Sequence, residues 1–428
     1  MTTVRPPAIE KEEKAVESST AVIERPTKSV VIAPPPVIVA DLDAVTIRES
    51  LLAALVWANR AVSKRPALQV LAGALLTTGR DALHVAGWDY EMYASASAAA
   101  PASTGRALVP MGVLLAAVRS LPARAAVTLT VDGGALLVIG GLAQFRVPLM
   151  SLGDYPAVPK RPAALLMRGT GVVLANLLRP VVACCRDSTL PVLTAVQVEN
   201  ADGVVTAAAT DRYRLMVATG EYVRGGAKPW APVLIPRALA VKVRASLRSE
   251  PEVRVYSDPP PPPVAAEEGK KRVLPDRRLV WVQAGERVIA NYAVEGEFPR
   301  WRSLIPADRS ATIVADRDDW QVAVAQSAAM LSRFDSVKLT GEGGQPVTMR
   351  SGAANSAADV TMKDAQFTGD FKVTVGFSAS MMKSCLAVLA PGAVTASILS
   401  PVRPVVFAAD EDPSLRCLLM PINLTRQQ

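Results

Sequence analysis

Reactive and metal-binding side chains are scarce in this chain. Its 428 residues contain one histidine, His84, and four cysteines, Cys184, Cys185, Cys385 and Cys417. A single imidazole rules out Ser-His-Asp, Cys-His and multi-histidine metal arrangements as a repertoire, and His84 stands inside an alternating run where it reads as a packed strand residue. The cysteines show no CxxC spacing, and the adjacent pair is poorly placed to bridge itself, so the expectation is buried thiols in a reducing cytosol. No GxxxxGK loop occurs, and the glycine pairs 133–134, 140–141 and 343–344 read as turns rather than phosphate cradles. No stretch approaches the roughly eighteen uncharged apolar residues of a membrane span, and the N-terminus has no basic-then-apolar signal pattern. These absences predict a soluble, cytoplasmic protein with no catalytic residues, no cofactor, no metal and no membrane partner.

Acids are also missing, but only locally. The chain as a whole carries 47 Lys and Arg against 39 Asp and Glu, a balance of +8 that permits a polyanion partner without requiring one. Six stretches with apolar residues at helical spacing, 51–65, 111–124, 171–186, 237–249, 321–333 and 378–390, contain no Asp or Glu, yet each holds at least one Lys or Arg. Buried apolar helices would also exclude acids. Arg119 on the second stretch and Arg237, Lys242, Arg244 and Arg248 on the fourth argue otherwise, since four cations on one helix are too many to bury unpaired. A basic helix face meeting a polyanion without reading its sequence is the sharper reading, and an ordinary solvated face is the alternative.

What is present is repetition on an α+β pattern. Residues 1–36 mix Glu, Lys, Pro, Ser and Thr with little to bury and read as a disordered tail. From 37 onward the order helix, strands, helix, strands occurs three times, predicting domains at 37–160, 161–306 and 307–424, with 425–428 as a short extension. RPALQVLAG is echoed by STLPVLTAV, and SLGDYPAVP by VEGEFPRWRSLIP. Asp89 in GWDYEMY and Asp211 in TDRYRL lie 122 residues apart, far beyond a solenoid period of roughly 20–50 residues, so the repeat is a duplicated domain. Inside the second unit, the proline-rich and charged 258–278 reads as a long hairpin loop. Residues 204–219, VVTAAATDRYRLMVAT, read as two strands meeting at the polar corner Thr210-Asp211-Arg212.

RPALQVLAGALL with GWDYEMYASA, LPVLTAVQV with AATDRYRLMVA, GEFPRWRSLIP and the closing LLMPINL, in this order, resemble the bacterial DNA sliding clamp, the β subunit of the DNA polymerase III holoenzyme, from about residue 37 to 424. The resemblance implies three similar domains per chain, each with two helices on antiparallel sheets. It further implies two chains closed head to tail into a ring, with the helices lining a hole for double-stranded DNA. Such a ring is a non-catalytic processivity factor, because topology prevents escape while weak, salt-sensitive phosphate contacts permit sliding. Arg65 and Arg237 match family positions that face DNA; Arg119, Lys242, Arg244 and Arg248 are added from the helix reading.

The resemblance also implies a pocket between the second and third domains for short peptide segments of the replicative polymerase, the clamp-loader ATPase, and repair polymerases and ligase. Carried over residue by residue, it is made by Leu193, Thr210, Arg212, Tyr213, Arg214, Leu215, Pro299, Leu304, Phe334, Val402, Pro404, Leu418, Met420, Pro421 and Ile422. Ser303, Ser378 and Met381 depart from the Arg, Asn and Tyr common in relatives, which bears on peptide preference. Phe145, Val147, Met330 and Leu331 match the apolar homodimer interface. The alternatives are a second-copy clamp with altered partners, a non-specific DNA-binding protein of duplicated domains that forms no ring, and an enzyme with an unrecognised carboxylate site.

Overall fold

Apolar residues at helical spacing become six α-helices: α1 Arg48–Ala58, α2 Met111–Ser120, α3 Gly171–Leu177, α4 Arg237–Ser246, α5 Arg317–Ala328 and α6 Ala379–Leu386. The computed structural model describes residues 39–201, 203–220, 223–224, 230–259, 277–331, 336–353 and 356–424. The expected tail, the extension at 425–428, Phe334 and all but the ends of the proline-rich insert lie outside these residues. At those ends, Val253–Tyr256 pairs antiparallel with Leu279–Ala284, as a hairpin requires.

Local chemistry starts four of the six helices. Pro110 and Pro236, with φ of −59° and −56°, close the strands before α2 and α4, and the helix begins at the next residue. Asp316 caps α5 by accepting the Asp318 N–H at 2.8 Å, and Thr170 Oγ1 accepts the Val173 N–H at 3.4 Å before α3. Gly171 is required at that start, because a Cβ there would stand 1.7 Å from the Leu247 carbonyl oxygen. Two helices correct the expectation of acid-free segments. They begin earlier than the acid-free stretches and take Glu49 into the first turn of α1 and Asp318 and Asp319 into that of α5, where the helix dipole favours carboxylates.

Each helix is preceded by one strand and followed by three, and this unit occurs six times along the described chain, with two short additional strands. The single strand leaves its own three and joins the three of the partner half-unit. Asp43–Ile47 thus edges Ala126–Asp132, Ala135–Gly140 and Ala143–Pro148, while Arg106–Pro110 edges Gly73–Gly79, Ala82–Trp88 and Met92–Ala99. Two four-stranded and two nine-stranded sheets result.

The nine-stranded sheets run through the junctions between repeats. Met92–Ala99 pairs antiparallel with Arg287–Tyr292, and Arg214–Gly220 with Asp412–Leu419. The described residues from Val39 to Leu424 accordingly form one compact unit. One face of each sheet packs on the helices, as Leu415, Cys417 and Leu419 do in the main core with Leu239, Trp320 and Leu386. Alternate residues point the other way into two smaller clusters that lie under the connections between repeats: Leu215 and Leu418 with Phe298 and Trp301, and Trp88, Tyr93 and Trp281 with Tyr155.

Candidate functional site

The corner at 210–214 is built by its own side chains. Asp211 Oδ1 accepts the N–H groups of Tyr213 and Arg214 at 3.1 and 3.0 Å, and Thr210 Oγ1 donates to the Arg214 carbonyl at 2.7 Å. Arg212 takes a φ of 80°, the left-handed region that glycine favours. Arg214 turns inward, with Nε 2.8 Å from Asp211 Oδ2 and Nη1 donating to Ser384 of α6, so the corner is tied to the third repeat.

Around this corner the structure brings most of the expected pocket residues to one end of a nine-stranded sheet. Leu215 lies opposite Leu418 in the ladder, both nearly buried, and the Met420 N–H donates to the Tyr213 carbonyl at 2.8 Å. Leu193 is buried in the single turn Pro191–Thr194, its carbonyl accepting the Cys185 N–H at 2.8 Å. Val402 and Pro404 precede Val405, which pairs with Leu419 at the same sheet end, and Ile422 N–H donates to the Gly376 carbonyl at 2.8 Å, two residues from Ser378. Pro299 and Ser303 line a depression of about 360 Å3 with Gln197, Phe298 and Trp301, and Leu304 follows on the same connection. Tyr213, Leu304, Val402 and Met420 are large apolar side chains left 54, 51, 69 and 42% exposed. The pocket position Ser378 is satisfied locally, its Oγ 3.1 Å from that of Ser380, and Met381 is half-buried.

The structure adds residues that the sequence reading passed over. Trp301 is buried under the connection and donates Nε1–H to Gln197 Oε1 at 3.0 Å, while Phe298 packs on Leu215 and Leu418. The two aromatics of FPRW, echoed by Tyr155 in SLGDYP, were the available signal. Arg179 reaches from behind α3 to Asp412 Oδ2 at 2.5 Å and Ser414 Oγ at 3.0 Å, and nothing in the local sequence links them.

Among the expected polyanion contacts, Arg237 and Arg244 lie seven residues apart on α4, half-buried at the border between the buried Leu239, Ala240 and Val243 and the exposed face, and Arg248 is exposed in the turn that follows the helix. Arg244 is half-exposed. Burial, and then repulsion from Arg179 and Arg248, holds its pKa below the ordinary arginine value. Arg65 and Arg119 are exposed. Lys242 points into the junction of the first two repeats, where Nζ donates to the Arg60 carbonyl and burial lowers its pKa. Val147 is likewise a core residue, fully buried, whereas Phe145 beside it on the edge strand Ala143–Pro148 and Leu331 are only partly buried, and Met330 is 47% exposed.

His84 Nδ1 lies 2.8 Å from Ser97 Oγ, which donates to Glu286 Oε2 at 3.3 Å. The serine stands between imidazole and carboxylate, not the imidazole between the other two, so the trio lacks the order that activates a nucleophile. Among the described residues no group of three or more His, Cys, Asp or Glu is placed to hold a metal ion. No helix among them is long and apolar enough to cross a membrane.

Repeated two-helix units with sheets running through their junctions define a clamp-type architecture. Residues 44–159 match the family described as DNA polymerase III beta subunit, N-terminal domain. The chain is 32% identical to the beta sliding clamp of Micrococcus luteus over 315 residues, covering 73% of this chain and 95% of that one. It is 28% identical to the beta sliding clamp of Streptomyces coelicolor over 388 residues, 88% and 98% of the two chains. The DNA polymerase sliding clamp of Bacillus subtilis has the same fold, with a TM-score of 0.79 at 18% identity over 90% of this chain and all of the other. A Pseudomonas aeruginosa sliding clamp bound to griselimycin gives the same score at 21% identity and the same coverage. The chain belongs to the bacterial beta sliding clamp family and is a DNA sliding clamp.

Proposed function

We propose that this clamp closes as a head-to-tail homodimer of six domains, three per chain at 37–160, 161–306 and 307–424, and holds partner proteins by short peptides at the 210–214 corner. Both internal junctions join the last strand of a repeat's first half to the last strand of the next repeat's second half. By that rule the edges still available are Ser356–Met362 of the third repeat and Ala143–Pro148 of the first, which a second copy can pair. Phe145, Met330 and Leu331 would be covered by that pairing. Inside the ring, Arg65, Arg119, Arg237, Arg244 and Arg248 meet duplex phosphates. The partners are the replicative polymerase, the clamp-loader ATPase, and repair polymerases and ligase, none of which requires reaction chemistry from the clamp itself.

The observation that carries the peptide reading is the set of four exposed apolar side chains, Tyr213, Leu304, Val402 and Met420, at one sheet end over the buried Leu215 and Leu418. Such a patch takes the Leu and Phe of a Gln-Leu-x-Leu-Phe segment, each contributing roughly 1.5–3 kcal/mol when enclosed. Calorimetry with that peptide tests it. Met420→Ala and Leu215→Ala should each weaken binding about tenfold or more without changing the native mass. Wild-type affinity in both variants would show that the peptide sits elsewhere. Ser378, bonded to Ser380 instead of presenting an amide, favours a clamp whose partner preference departs from that of its relatives.

A further inference from the structure

Beyond the connection that covers Leu215, the same sheet face holds a second depression, of about 300 Å3, with Thr206, Val217, Thr219, Trp301, Arg302 and Arg416 in its lining. We propose that it is an anion subsite for an acidic side chain lying outside the apolar anchors of the same bound peptide. The inference rests on the peptide reading above and deepens it.

The ladder makes the two places continuous. Leu215, Val217 and Thr219 alternate on one face of a single strand, opposite Leu418, Arg416 and Ser414 on the neighbouring strand. Four residues of strand span about 13 Å, a distance that an extended peptide covers with four residues and that crossing the Trp301–Arg302 bridge lengthens by a few more. The charges are unequal. Arg302 lies over the Trp301 ring at 4.5 Å and already pairs with Glu199 at 2.5 Å, whereas Arg416 is exposed and makes no ion pair among the described residues. Two guanidinium groups and one carboxylate leave a single positive charge at the depression. Glu295 and Glu297 of the same connection line neither depression. The site is half-enclosed by the Trp301 ring and Val217, which strengthens a charge pair relative to open water. The two threonines supply hydroxyls, although Thr219 Oγ1 already reaches the Ser414 carbonyl at 3.4 Å.

The test measures fluorescence anisotropy of a labelled Gln-Leu-x-Leu-Phe peptide, unextended or extended at either end by about eight residues carrying Asp or, as control, Asn. One of the two Asp extensions should tighten binding roughly two- to fivefold over its Asn control, and the gain should fade at high salt. Arg416→Gln should erase the gain while leaving the unextended peptide unchanged, and Arg416→Glu should reverse it in favour of a Lys-bearing extension. Equal binding of Asp and Asn extensions, or a gain retained in Arg416→Gln, overturns the subsite while the peptide pocket stands. If the unextended peptide does not bind, the pocket reading fails and the subsite with it.

Discussion

Arg179 is 7% exposed and charged, and its partners decide what that costs. Nη1 bonds Asp412 Oδ2, Nη2 bonds Ser414 Oγ, and Nε donates to the Asn176 carbonyl at 3.1 Å, so one side chain joins the second repeat to the third. Burial works to raise the Asp412 carboxyl pKa, but hydrogen bonds from Arg179 and Ser414 and the guanidinium charge outweigh it, and the net pKa lies below the ordinary aspartate value of 3.8. A carboxyl depressed in the folded state adds stability that is present above the unfolded value and lost as pH falls through the folded one. Asp412→Asn should therefore cost on the order of 2 kcal/mol at neutral pH, because a buried guanidinium loses its counter-charge. The deficit against wild type should shrink below about pH 4 in denaturant titrations. A deficit independent of pH would mean that the aspartate acts by shape and not by charge.

At the scale of elements, the 122-residue repeat is reproduced in hydrogen bonds. Asp89 Oδ1 accepts the Glu91 and Met92 N–H groups at 3.0 and 2.6 Å, as Asp211 does for Tyr213 and Arg214, and Tyr90 takes a φ of 70° where Arg212 takes 80°. The outcome differs because Trp88 and Tyr93 stand where Thr210 and Leu215 stand in the next repeat. Tyr93 stacks on Trp281 at 5.4 Å and Trp88 lies 6.0 Å from Tyr292, filling that junction with the chain's own rings. Helix α4 carries the second argument at this scale. Replacing Arg237, Arg244 and Arg248 by Ala should lower the logarithmic salt slope of duplex binding by about one unit for each phosphate no longer neutralised, read between about 50 and 200 mM salt. Lys242→Ala should leave that slope unchanged, since its ammonium is committed to the Arg60 carbonyl. An unaltered slope in the triple variant would place the polyanion on another face.

For the whole molecule, the decisive feature is that two last strands of half-units, Ala143–Pro148 and Ser356–Met362, are joined to no other half-unit among the described strands, unlike the four at the internal junctions. Light scattering should give twice the 45.1 kDa chain mass. Phe145→Asp together with Leu331→Asp should return it to monomers, because closing the edges would then bury unpaired carboxylates at several kcal/mol each. A dimer that survives both changes would mean that the contact uses other strands. Val147 is left out of this test, since its side chain belongs to the chain's own core and a charge there would unfold the repeat.

The six helices, the threefold repetition and the aspartate corner were legible in the sequence, because each depends on spacing and side-chain chemistry within a few residues. Periodicity marks the helix faces, and Asp followed by a left-handed residue closes its turn in either repeat. The family likeness singled out residues most of which the fold gathers at the second junction. Tertiary structure alone decided the rest. That each half-unit lends its first strand to its partner, that Lys242 turns into a junction while Arg248 stays exposed, and that Arg179 finds Asp412 across 233 residues all depend on contacts distant in sequence. No local pattern encodes them, since they follow from which strand edges and carbonyl groups remain to be satisfied once the repeats have packed.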